Sequence, residues 1–359
     1  MKKYLNQQDM RDLNLTGVFS LIKRAGPLTR RQIEAEMSLS WGAVSNITAL
    51  LLKEGYVKEV KATATPGAGR TPIALCVNTD GYLLMGLDVN RSGLGGVLTD
   101  LTGAPVCTLQ HEPPEGDREE WIAAITALIR DLLQQAGDRP VMAIGIAMQG
   151  AVDADRGIAA TFPAAGWQDV PLAAMLSDIF SLPVYLEHDP DCLLYAALAE
   201  RRLQDAILLR IDRGIGMAVM LEGQIWKRFG ALEIGATVNG GLPLQEVATT
   251  QGMSQRAGRP FRELAEAAHK GEPAALALFE QAAAHLGAAI ANAVTVFNVS
   301  ECLLCGKMLQ HGDLLLSPLT KAAKDYTPGR QLCISTTDVG NAAIGAAKLA
   351  AERHIIHID

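Results

Sequence analysis

Residues 28–57 read LTRRQIEAEMSLSWGAVSNITALLLKEGYV, and their periodicity predicts two short helices followed by the entry to a strand. In RRQIEAEM, Ile33 and Met37 are four residues apart and share one side, while Arg30, Arg31, Glu34 and Glu36 are left to water. Ser38-Leu39-Ser40 breaks the pattern, and Ser40 is a good N-cap for a second helix. That helix turns Val44, Ile47, Leu50 and Leu51 inward and leaves Trp41, Ser45, Asn46 and Thr48 nearer its outer face, until Gly55 ends it. Two short helices joined by a tight turn, the second with a polar face, form the helix-turn-helix that lays a recognition helix in the DNA major groove.

The flanks extend this reading. Residues 57–77, VKEVKATATPGAGRTPIALCV, have the pattern of a β-hairpin whose tip, residues 66–72, forms a wing carrying a single arginine. A narrow minor groove concentrates negative potential, and Arg70 on a glycine-rich tip suits insertion there. Leu13, Val18, Leu21 and Ile22 define an amphipathic helix able to cap the pair, stopped by Gly26-Pro27. The candidate DNA contacts are therefore Arg30, Trp41, Ser45, Asn46, Thr48 and Arg70. A small helical domain contacting protein through the same fold is the competing reading.

Charge supports the nucleic-acid reading once it is divided. The net charge is −7, yet residues 1–75 hold 11 Lys or Arg against 6 Asp or Glu, +5, and the remainder holds 21 against 33, −12. A basic head on an acidic body points to nucleic-acid contact by one segment and argues against nonspecific wrapping of DNA. With 359 residues, two or three domains are expected, and 49% hydrophobic with 20% charged residues is a globular composition. No apolar run reads as a bilayer span. Six cysteines without framework spacing, and no signal peptide, make a reducing cytoplasm the expected location. Cys302 and Cys305 fall in a strand-like run, VSECLLCG, and read as buried hydrophobes rather than a metal pair; His354 and His357 read as a solvated tail.

From Tyr82 onward LLMGLDVN, GLGGVLTDLTG and PVCTLQ read as three strands, TALIRDLLQQ as a helix and VMAIGIAMQG as a buried strand. This order opens a nucleotide-binding lobe of the actin and sugar-kinase type. A second round follows: DAILLRIDRG, IGMAVMLEGQI, helices over about 258–298, VSECLLCG, a further helix and ISTTDV. The fold class expected is α/β, an N-terminal winged helix-turn-helix plus a two-lobed actin-like, ribonuclease H-like body. The expected boundaries are 1–78 for the head, 79–187 with the C-terminal helix 338–359 for the first lobe, and 188–337 for the second, which would carry oligomerisation. PAALALFEQAAAHLGAAIANAVTVFN has a core-helix pattern. Between the lobes, His188-Asp189-Pro190 lies at the end of one strand, where open α/β folds bind ligands.

These segments resemble the ROK family, which groups bacterial sugar-responsive repressors of the NagC, XylR and Mlc type with sugar kinases. GIAMQGAVDADRG is similar to the family's G-x-x-x-P-G-x-V-D segment with Gln149 in place of proline. PAAGWQDVPLAAML resembles P-N-L-x-W-x-x-V-P-L, and LPVYLEHDPDCLLYAALAE resembles the N-D-A-N segment. The resemblance makes Asp189 the match to the kinase base that takes a proton from a sugar hydroxyl. It assigns hydroxyl contacts to Asp189 and Glu233 with backbone help near Gly150; Ala164 and His188 replace family asparagines and Ala236 a histidine, and His188 is read as a further ligand contact with a packed role as the alternative.

The same comparison implies that two other functions are eroded. The loop D-x-G-x-T reads Asp88-Val89-Asn90-Arg91-Ser92, and G-T-G-I-G reads Asp212-Arg213-Gly214-Ile215-Gly216. A carboxylate facing a phosphate about 4 Å away costs roughly 4 kcal/mol near a surface, so weak or no ATP binding is expected. The zinc motif E-x-G-H reads Glu233-Ile234-Gly235-Ala236 and no cysteine follows it before Met253, so no zinc is expected. The sequence thus predicts a regulator, most simply a repressor of carbohydrate genes: it binds a double-stranded DNA operator and a sugar-like effector, assembles as a homodimer or tetramer, and contacts no membrane. A bifunctional sugar kinase and a regulator governed by a protein partner are the alternatives.

Overall fold

A computed structural model describes residues 7–61, 72–201, 203–226, 232–337, 342–354 and 356. The head begins with helix α1, Gln7–Ala25. Helix α2, Arg30–Met37, opens with a capping box in which Thr29 and Gln32 satisfy each other's backbone N–H. Helix α3, Trp41–Lys53, is capped by Ser40, whose hydroxyl accepts from the Ala43 N–H at 3.3 Å. Strands Val57–Lys61 and Ile73–Val77 pair antiparallel from Val57↔Val77 to Lys61↔Ile73, and the two-residue strand Leu28–Thr29 adds to the second. This is the winged-helix arrangement read from the sequence. The wing tip between those strands, Arg70 included, lies outside the described residues.

By contacts the chain divides into two units: 1–146 with 171–186 and 346–359, and 147–170 with 187–345. The head therefore falls with the first unit, and residues 147–170 fall with the second, unlike the division expected from sequence. One apolar core joins the head to its lobe: Leu15, Val18, Ile33, Val44 and Leu51 belong to the same cluster as Leu84, Leu101 and Met142. Tyr56 stacks on Tyr82 at 4.5 Å, and the Arg139 guanidinium donates to the Thr79 carbonyl at 2.6 Å. The Asn78–Gly81 turn is thus held on both sides instead of acting as a loose linker.

The first unit's sheet runs in the order Val184–His188, Val141–Met148, Leu83–Asn90, Gly93–Asp100, Pro105–His111. Every residue of Val141–Met148 is buried, as expected of a strand covered on both faces. Helix Arg118–Ala136, capped by Asp117, contributes Trp121, Ile125, Leu128 and Leu132 to the core.

The second unit's sheet runs Gln224–Ile225, Ile215–Leu221, Ala206–Ile211, Glu301–Cys305, Cys333–Thr336. Strand Ala206–Ile211 pairs antiparallel with its hairpin partner and parallel with Glu301–Cys305. Cys302 and Cys305 are both buried, in keeping with a packing role. Helix Pro273–Val296 is, by length and composition, apolar enough to cross a membrane, contrary to the expectation that no such run exists. Here it is a core helix, with Phe279, Leu286 and Ile290 buried against the sheet side of the unit. Its neighbour Gly312–Asp325 approaches so closely at Gly287 that a Cβ there would lie 2.6 Å from that of Ala322 and 2.8 Å from the Leu319 carbonyl oxygen. Replacing Gly287 by leucine must force these helices apart, and overpacking of that kind costs about 2 kcal/mol. Urea denaturation of Gly287→Leu is expected to show that loss; an unchanged midpoint would contradict the close packing.

Candidate functional site

The second unit contains a cavity of about 250 Å³ lined by residues that the sequence disperses over nearly a hundred positions. All four ligand-binding residues expected from sequence line it: Gly150, His188, Asp189 and Glu233. Gly150 has φ +103°, and a Cβ there would lie 2.2 Å from the Thr161 carbonyl oxygen, so only glycine fits this wall. His188 ends one strand and Asp189 begins helix Asp189–Arg201, with Pro190 in its first turn. Glu233 is exposed and precedes a single 3₁₀ turn, Ile234–Ala236.

Two further residues dominate the geometry. Arg210, on strand Ala206–Ile211, donates from Nη1 to Asp189 Oδ2 at 2.6 Å and from Nε to Asp212 Oδ2 at 2.8 Å. The second oxygen of Asp212 accepts the Lys307 backbone N–H, and the Asp212 carbonyl accepts from both the N–H and the hydroxyl of Thr250. A guanidinium thus bridges two carboxylates, one of them also pinned to backbone through its other oxygen. Sequence reasoning identified Asp212 only as an obstacle to phosphate and missed Arg210. The available signal was a lone cation in the apolar run AILLRI, since a charge buried in a strand requires an acidic partner.

Burial sets the protonation of the pair at the cavity wall. It lowers His188 to about 4; Glu233 and Glu187 oppose the shift and Arg210 reinforces it. The His188 imidazole is therefore neutral near pH 7, and its 3.6 Å approach to Asp189 is not an ion pair. Burial raises Asp189 to about 6, Arg210 pulling it down and Asp212 pushing it up. Near pH 7 Asp189 is thus an ionised carboxylate held by Arg210.

On the head, α3 exposes Trp41, Asn46 and Ala49, and Ser45 is half-buried. Gly42, Asn46, Ala49 and Lys53 follow one another at helical spacing along the open side. Two expected contacts are corrected. Thr48 is fully buried; its hydroxyl donates to the Ser45 carbonyl and accepts from Arg30 Nε at 3.0 Å. Arg30 in turn pairs with Glu59 at 3.2 Å, so it fastens α2 to α3 and the first wing strand. Ala49, one residue on, occupies the outward position that the helical-wheel reading gave to Thr48, and it offers a methyl group there in place of a hydroxyl.

The two family motifs for bound groups can be tested on these residues. The segment 233–253 offers neither cysteine nor histidine where a tetrahedral zinc needs four donors, so its residues do not fit that metal. Beside the 212–216 turn, the Lys307 backbone N–H and Arg210 Nε both donate to the Asp212 carboxylate, which places a negative charge at that turn.

The family model of the ROK family matches residues 84–239 and 241–353, and the chain belongs to this family. The DNA-binding transcriptional dual regulator NagC of Escherichia coli is 26% identical, covering 91% of this chain and 86% of that protein. The xylose repressor of Caldicellulosiruptor bescii is 24% identical over 88% of each. A crystal structure of a ROK family transcriptional regulator, a homologue of the Escherichia coli Mlc protein, superposes with a TM-score of 0.82 over 96% of this chain and 97% of that one, at 21% identity. The ROK hexokinase of Thermus thermophilus matches with a TM-score of 0.65 and 25% identity, covering 75% of this chain and 98% of its own.

The opposed shifts of His188 and Asp189 give a test. His188 leaves the folded chain with fewer protons than the unfolded chain between pH 4 and 6.5, so it adds stability as pH rises through that window. Asp189 leaves the folded chain with more protons between 3.8 and 6, so it removes stability over nearly the same range. The two largely cancel. His188→Gln is expected to unmask a denaturation midpoint that falls from pH 4 to 6, and Asp189→Asn one that rises; parallel profiles would contradict the assignment.

Proposed function

We propose that the chain is a sugar-responsive transcriptional repressor whose winged helix binds an operator and whose second-unit cavity binds a sugar-like effector. The observation that carries this reading is a winged helix packed on a family body in which the residue matching the kinase base is tied to arginine. Asp189 must be free to take a proton from a hydroxyl if phosphoryl transfer is to occur. Here its Oδ2 is engaged by Arg210, and the neighbouring Asp212 carboxylate takes the Lys307 backbone N–H. The cavity is therefore a binding site and not a phosphoryl-transfer site.

Coverage of relatives favours the same reading. The regulators match nearly the whole chain, head included, whereas the hexokinase matches three quarters of it while covering almost all of itself. Because the head and first lobe share one core, a rearrangement of the lobe is transmitted to α3 through packed side chains. A pair of heads reads two half-sites a helical turn apart, so the regulator acts as a homodimer or larger assembly, in the cytoplasm where its operator lies.

Gel retardation with the chain's own promoter region tests the proposal, and Asn46→Ala is expected to weaken operator binding by about 1–3 kcal/mol while sparing random DNA. Equal loss on both would remove Asn46 from base reading. A coupled ADP-release assay over hexoses and pentoses is expected to show no turnover above background; robust turnover would overturn the reading of Arg210 and Asp212.

A further inference from the structure

The charge of the cavity selects among sugars. Among the described lining residues Arg210 is the one cation, against three carboxylates, Asp189, Asp212 and Glu233, with His188 neutral. Arg210 is already committed through Nε and Nη1 to two of those carboxylates at 2.8 and 2.6 Å. Glu233, on the exposed rim, makes no ion pair with any described residue. The described lining residues therefore carry a formal charge of −2.

The single charge of Arg210 is already shared with Asp189 and Asp212, so an incoming anion meets a net negative wall, and drawing Arg210 off Asp189 would leave that buried carboxylate without its partner, which is strongly unfavourable. A hydroxyl or an ammonium group faces no such obstacle, since carboxylate oxygens accept from both. The size agrees: about 250 Å³ lies at the small end of ligand pockets, the scale of a monosaccharide.

We infer that the effector cavity takes an uncharged or amine-bearing monosaccharide and rejects phosphorylated and carboxylated sugars, with Arg210 and Glu233 as the residues that set this preference. The inference rests on the reading of the cavity as the effector site and deepens it. Arg210 selects by having its single charge already shared between two carboxylates; Glu233 selects by offering a carboxylate at the mouth.

Isothermal titration and thermal shift of the full chain with matched sets test it: glucose, glucosamine and glucose 6-phosphate; mannose, mannosamine and mannose 6-phosphate; N-acetylglucosamine and its 6-phosphate; xylose; and inorganic phosphate alone. In any set that binds, the neutral or amino sugar is expected to bind at least tenfold more tightly than its phosphate ester, and inorganic phosphate is expected not to stabilise. Glu233→Gln, at an exposed position, is expected to narrow the ratio of amino sugar to phosphate ester at least tenfold. A phosphate ester that binds more tightly than its parent, or a ratio unchanged in Glu233→Gln, overturns the charge assignment alone. Failure of every sugar to bind overturns the effector reading and this inference with it.

Discussion

The second unit is organised around one guanidinium held between two carboxylates. Arg210 projects from the middle strand of the sheet, Asp189 starts the helix that follows the His188 strand, and Asp212 follows Arg210 by two residues at the turn. None of the three could be buried alone, and removing one partner from such a set typically costs about 3–5 kcal/mol because the other charge is left unpaired. The set fixes the strand end, the helix start and the turn relative to one another, and it engages the carboxylate that the family resemblance matches to the kinase base.

Much of this was legible in the sequence because local physics and tertiary structure agree. The Ser40 cap, the hydrophobic spacing of α2 and α3, and the hairpin after Gly55 are short-range signals, and each appears where expected. The strand, strand, strand, helix, strand order after Tyr82 is likewise carried by period-2 and period-3.6 patterns. The cavity residues Gly150, His188, Asp189 and Glu233 could be named because they fall within contiguous motifs.

What escaped depends on contacts between elements. Thr48 looked outward on a helical wheel, but Arg30 reaches across from α2 and makes it a buried acceptor. Arg210 lay unnoticed within AILLRI because its meaning is set by Asp189, which is 21 residues earlier and on another element. The continuity of the head with the first lobe was also invisible: Tyr56 and Tyr82 flank a turn that reads as a boundary, yet they stack. Sequence pattern locates such a turn but does not show what packs across it.

The central claim is that a sugar held by the Arg210-braced cavity governs the head's grip on DNA. The most direct measurement is fluorescence anisotropy of labelled promoter DNA, titrated with protein in the presence and absence of the sugar from the panel that stabilises the chain most. The account predicts that this sugar changes the DNA dissociation constant at least tenfold in the native chain, and that Asp189→Asn abolishes the change while sugar-free DNA binding persists. A sugar-induced change of the same size in Asp189→Asn would contradict it.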